Sequence, residues 1–263
     1  MNNGPQKPTL FNQWWLVIAM GVLLVAIGAG GLALCCPSIS PLRWCLQTAL
    51  VITCILFVVQ RNLRLNPFRN HQRLWAGPGV ANWITLARGG LIAILAGFWQ
   101  QPWPGRLNGV GWAMWIPGII YITASIGDVL DGFVARLTAN QTHFGERLDN
   151  QIDALGILVA SLLAVGYGQL PDYYLSAGLA YYLLRFAVWL RRKTGRPCST
   201  VKRRKGAKLI AGAQMAFLGI VLLPLLSPSF THVAAAVILI PFLAGFLLDW
   251  QMVCRHEKFN HVH

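Results

Sequence analysis

An all-helical bundle embedded in a membrane is the fold class this sequence predicts, and three observations predict it. Hydrophobic residues make up 56% of the 263-residue chain, and its mean hydropathy is +0.53. Charged residues make up only 11%, against roughly 25% in a soluble domain. Apolar runs close to the ~20 residues that a membrane helix needs recur along the whole length. A soluble helical protein would not sustain so many.

The runs predict eight membrane helices, at about 14–35, 44–60, 83–99, 110–127, 153–169, 174–190, 209–227 and 232–250. Cys36-Pro37 to Pro41 ends the first. The second is followed by a polar, basic stretch over 61–80, which sets the first two helices apart as an appended hairpin. Gln101-Pro102 to Pro104-Gly105 ends the third, and Pro171-Asp172 separates the fifth from the sixth, because proline and its neighbours break a helix. The domain organisation expected is therefore a hairpin and linker over 1–78, a six-helix unit over 79–254 and a short tail over 255–263. Six cysteines are present, but none makes a CxxC pair, so they read as small apolar membrane residues. The tryptophans, among them Trp14, Trp15, Trp103, Trp112 and Trp250, fall at predicted helix ends, as an interfacial aromatic belt requires.

The net charge is +14. Nucleic-acid binding is not expected, because the basic residues lie in short loops between apolar runs with no aromatic-basic platform. With the N-terminus inside, one face collects Lys7, Arg61, Arg64, Arg69, Arg73, Arg136, Arg147, the basic residues from Arg191 to Lys208, Arg255 and Lys258. The opposite face holds Arg43 and Arg106. Arg88 and Arg185 fall inside apolar segments. The positive-inside rule thus predicts cytoplasmic N- and C-termini.

Acidic residues are scarce, eight in all, yet five occur in the window G-D-V-L-D-G-F-V-A-R-L-T-A-N-Q-T-H-F-G-E-R-L-D-N-Q-I-D. At ~100° per residue, Asp128, Asp131, Gly132 and Ala135 share one helical face. Gly145, Asp149 and Asp153 share a face on the next helix. Two antiparallel helices would aim four carboxylates into one volume at the cytoplasmic boundary. Unpaired carboxylates there are costly, and oxygen-only ligands suit Mg²⁺, Mn²⁺ or Ca²⁺ rather than zinc. A pair of such ions among four carboxylates serves displacement at phosphorus. The plainer alternative is a salt-bridged helix pair, with Arg136 and Arg147 against the aspartates.

The order D-x-x-D-G-x-x-A-R, eight residues, then G-x-x-x-D-x-x-x-D resembles the signature of the CDP-alcohol phosphotransferase family. Asp128, Asp131, Gly132, Ala135, Arg136, Gly145, Asp149 and Asp153 fill every specified position. Asn82, Thr85 and Arg88, in N-W-I-T-L-A-R, match a second family feature, although Ala81 stands where relatives often have proline. The resemblance covers about residues 79–254. It implies transfer of a phosphatidyl or related group from a CDP-linked lipid to a polar alcohol, with release of CMP. It implies two Mg²⁺ or Mn²⁺ ions on Asp128, Asp131, Asp149 and Asp153, with Asp153 also able to act as general base. Which aspartate is the base stays open from the residues alone. Gly132, Ala135, Arg136 and Gly145 would face the donor, with Asn82, Thr85 and Arg88 nearby. A homodimer is a further implication.

The basic stretch from Arg191 to Lys208 suits the cytoplasmic face and anionic headgroups. It also offers Lys202, Lys205 and Lys208, with Arg185 in the preceding helix, as holders of an acceptor phosphate such as that of glycerol 3-phosphate. Relatives often carry G-K-x-K-T here, whereas this chain has Gly206-Ala207-Lys208-Leu209-Ile210-Ala211. Inositol phosphate, serine and choline therefore stay open as acceptors. The competing class is a cation-coupled transporter using the aspartates as an ion site.

Overall fold

The computed structural model describes residues 10–36, 38–64, 80–104, 111–137, 143–195 and 205–255. Among them the chain forms eight α-helices: α1 (Leu10–Cys35), α2 (Pro41–Arg64), α3 (Val80–Ala96), α4 (Ile116–Leu137), α5 (His143–Gly166), α6 (Leu175–Lys193), α7 (Lys205–Val221) and α8 (Pro228–Arg255). Short 3₁₀ turns, Gly111–Trp115 and Asp172–Tyr174, lead into α4 and α6. The all-helical expectation holds. Four helices carry stretches long and apolar enough to cross a membrane: Pro41–Arg61, Gly111–Phe133, Gly145–Gly166 and Pro228–Cys254. Shorter apolar stretches lie in α1, α3 and α7.

Helix ends follow local chemistry. Proline opens α2 and α8, where its missing N–H would have no helical partner. Gly168 follows α5 and Gly195 follows α6 with φ of 74° and 71°. These left-handed residues turn the chain back onto the last helical carbonyls, and the amide of Gly195 donates to the Arg192 carbonyl at 3.1 Å.

Two helices differ from the sequence expectation in a way that matters for function. The fourth was expected over 110–127 and the fifth over 153–169. Instead α4 runs on to Leu137 and α5 begins at His143. All four aspartates thus lie within helices, as the shared helical faces in the sequence had required, and these are continuous with the apolar segments.

The chain divides into two compact units, Met1–Asp153 and Ala154–His263, with the boundary inside α5. In the first unit α3 is the hub, packed against α1, α2 and α4. The start of α2 is tied to the segment that follows α3. The Ser40 amide donates to Gln101 Oε1 at 2.8 Å, Gln47 donates to the Trp99 carbonyl at 3.0 Å, and Arg43 donates to Gln100. Trp44 is fully buried beneath them. A side-chain carbon at Gly28 or Gly97 would come within 2.4 Å of its ring, so both glycines are needed for this fit. Trp103 is also buried and donates to the Met114 carbonyl at 2.9 Å. The belt reading fails for Trp103, which fills the interior, while Trp112 is exposed.

On α4 the buried residues Tyr121, Ala124, Gly127 and Asp131 form one stripe, and the exposed Ile119, Ile126, Leu130 and Phe133 form another. A helix apolar on its exposed side and polar on its buried side is the pattern of a lipid-facing helix.

In the second unit α8 packs against α6 and α7. Gln214 donates to the Tyr174 hydroxyl at 2.6 Å, and the Tyr174 ring lies 5.8 Å from that of Phe217. Gly178 of α6 presses on α5: a side-chain carbon there would sit 2.8 Å from the Leu158 Cα. Backbone cannot yield as a side chain can, and overpacking costs about 1–3 kcal/mol. Gly178→Ala is therefore expected to lower the midpoint of thermal unfolding in detergent, and an unchanged midpoint would show that the two helices can part without penalty.

Candidate active site

The site is built on α3, α4 and the first turns of α5, all within the first unit. Arg88 stands at its centre, in the middle of an apolar helix and only 2% exposed. An arginine so placed needs partners, and it has five. Its Nη1 donates to Asp131 Oδ2 and to Asp149 Oδ1, both at 2.8 Å. The same nitrogen lies 3.6 Å from Asp128 Oδ1. Its Nη2 donates to Asp153 Oδ1 at 2.5 Å. Its Nε donates to the Ala124 carbonyl at 3.0 Å. One guanidinium therefore gathers all four aspartates, two from α4 and two from α5.

Thr85, one turn before Arg88, donates its hydroxyl to Asp131 Oδ2 at 3.0 Å. Asp131 is the most buried of the four carboxylates, and its Oδ2 accepts from both α3 residues. This fixes its orientation as a ligand needs.

Asp128, Asp131 and Asp149 each offer an oxygen within 4.8 Å of the others. Asp153 lies outside that group of three and is joined to it through Arg88. The charge balance indicates what this arrangement can hold. Among the described residues one guanidinium faces four carboxylates, a negative excess when all are ionised. Each like-charged pair at such range costs roughly 3–4 kcal/mol at an effective dielectric of about 20. Closely spaced hard oxygen donors with unbalanced charge fit a divalent cation of the Mg²⁺ or Mn²⁺ type.

The salt-bridge alternative named Arg136 and Arg147; the Arg136 side chain lies outside the described residues, and Arg147 is exposed. Among the described residues the ion-pair partner of the aspartates is Arg88, which the sequence placed beside the donor. Gly127 was missed altogether: a side-chain carbon there would lie 2.7 Å from Arg88 Cγ and 2.8 Å from Cδ. Neither the acidic window nor the helical phase signals this contact, which exists only once α3 and α4 pack.

The remaining candidates divide as follows. Gly132 lies on α4 beside the cluster and Gly145 on the first turn of α5. Asn82, Ala135 and Arg136 occupy helical positions on α3 and α4, and their side chains lie outside the described residues, as do those of Lys205 and Lys208 on α7. Lys202 itself lies outside them. Arg185 is on α6, with its guanidinium 5.9 Å from the centre of the Tyr181 ring, a cation–π pair within the second unit.

Fold and site together define a multi-pass helical membrane protein with an acidic cluster suited to a divalent cation. The sequence profile of the CDP-alcohol phosphatidyltransferase family matches residues 79–247, well over half of the chain. The protein belongs to that family. It is similar to the CDP-diacylglycerol–glycerol-3-phosphate 3-phosphatidyltransferase of Cereibacter sphaeroides, with 28% identity over 150 residues. The matched stretch covers 57% of this chain and 64% of that relative, less than two thirds of its length. No solved structure matches the chain.

Proposed function

We propose that this protein is a membrane transferase of phospholipid biosynthesis. In this reading it moves a phosphatidyl group from CDP-diacylglycerol, or a similar CDP-linked lipid, to a polar alcohol and releases CMP. The observation that carries the reading is the convergence of Asp128, Asp131, Asp149 and Asp153 on Arg88, inside the region matched by the family. Two Mg²⁺ or Mn²⁺ ions, when bound, supply neutralisation of the diphosphate charge. Asp128, Asp131 and Asp149 would hold them, with Asp153 as the fourth carboxylate of the set.

The chain's own groups then have distinct tasks. Asp153 accepts the proton of the acceptor hydroxyl. The acceptor oxygen forms a bond to the lipid-bearing phosphorus, the phosphoanhydride bond breaks, and CMP leaves with the electron pair. Thr85 and Arg88 position the carboxylates. Gly132, Ala135, Arg136, Gly145 and Asn82 face the CDP moiety. Lys202, Lys205, Lys208 and Arg185 hold the acceptor's phosphate. These cations would suit the phosphate of either glycerol 3-phosphate or inositol phosphate, and the printed activity of the C. sphaeroides relative favours glycerol 3-phosphate. The site would face the cytoplasm, the side that the basic loops favour.

Purified protein in detergent, given CDP-diacylglycerol and Mg²⁺ or Mn²⁺, is expected to release CMP with glycerol 3-phosphate in excess of inositol phosphate, serine or choline. Chelation is expected to stop the release. Release with another alcohol would replace the acceptor assignment. No CMP with any acceptor, alongside tight Mn²⁺ binding, would instead favour a cation-coupled transporter.

A further inference from the structure

We propose that Gly127 is a positioning residue, which holds Arg88 in reach of all four aspartates by leaving its face of α4 bare. The inference deepens the transferase reading and takes from it the view that this cluster is the active site.

Glycine is a poor residue for the interior of a helix, and alanine is favoured there by intrinsic propensity. Gly127 nevertheless lies deep inside α4, ten residues from its end at Leu137, and it is buried. The Arg88 stem crosses α4 at this point. Its Nε is held by the carbonyl of Ala124, three residues before Gly127, and its Nη1 lies by Asp128 and Asp131, one and four residues after it. A methyl group on Gly127 would fall 2.7 Å and 2.8 Å from Arg88 Cγ and Cδ, well inside the separation of non-bonded carbons. The stem would have to lift from α4, and the guanidinium at its end would leave the carboxylates. Gly127 thus forms the floor on which the Arg88 stem lies.

A double-mutant cycle tests this. Gly127→Ala in the parent is expected to lower the midpoint of thermal unfolding by about 5 °C or more, as expected when a buried ion pair is broken, and to slow CMP release at least about tenfold. In an Arg88→Ala background the same substitution is expected to leave the midpoint unchanged or raise it, because only helix propensity then acts. An equal loss in both backgrounds would overturn the proposal, as would no loss in the parent. If Arg88→Ala does not accumulate as folded protein, Gly127→Ala is compared with Gly212→Ala on α7, where an added carbon meets nothing within 4 Å. A midpoint lowered at 127 and not at 212 upholds the proposal; equal midpoints overturn it. The unfolding readout is independent of transfer. A cycle that shows coupling in a protein releasing no CMP would reject the transferase reading and leave the positioning role intact.

Discussion

Asp153→Asn is expected to lower CMP release by roughly 10²–10⁴-fold, the range attributable to a general base, while the protein keeps its fold. The structure makes the second half of that statement as specific as the first. Asp153 accepts a 2.5 Å hydrogen bond from Arg88 Nη2 through Oδ1, and the Asn amide oxygen can accept the same bond. Asn removes the ability to take a proton and one negative charge from a crowded cluster. Because four carboxylates share one guanidinium, losing one of them relieves repulsion. The midpoint of thermal unfolding should therefore stay level or rise as turnover collapses. Full turnover by this variant would remove Asp153 from the mechanism. A collapse of both turnover and stability would mean that its contribution is architectural.

The helical class was legible because apolar runs of membrane length need no tertiary information. The ends of α4 and α5 were not. Counting hydrophobicity stops a helix at the first charge, so Asp128 looked like an exit from the membrane segment. In the folded chain the carboxylates are compensated by Arg88, and the helix continues past them to Leu137. The same compensation lets α5 start ten residues before Asp153.

The aspartate cluster could be read from spacing alone, since i, i+3 on one helix and i, i+4 on another fix a face. Arg88 was visible as an anomaly, a charge inside an apolar run, but its partner was not. The aspartates lie 40 to 65 residues away in sequence, and only packing of α3 on α4 and α5 chooses among the available arginines. Arg147, nearer in sequence to Asp149 and Asp153, is exposed instead. Gly127 carries no local signal, because its meaning lies in the space it leaves for a residue on another helix.

Arg88→Ala carries the second large expectation. Removing it deletes the ion pairs that Asp128, Asp131, Asp149 and Asp153 make with it and the anchor on the Ala124 carbonyl. Breaking a buried ion pair by taking one partner away costs about 3–5 kcal/mol, because the remaining charges are left uncompensated. Here several carboxylates are left at once, so the loss should lie at the upper end of that range. The midpoint of unfolding in chelator should fall steeply, and CMP release should fall with it. Divalent cation is expected to restore much of the lost stability, since a hard cation among the same oxygens supplies the missing charge. The diagnostic result is therefore the slope: the midpoint should climb more steeply with Mg²⁺ concentration in Arg88→Ala than in the parent. If the two slopes are the same and the midpoint in chelator is unmoved, Arg88 is not the counter-charge of the cluster. The geometry of four carboxylates on one guanidinium would then owe its stability to the packing of α3 against α4 alone.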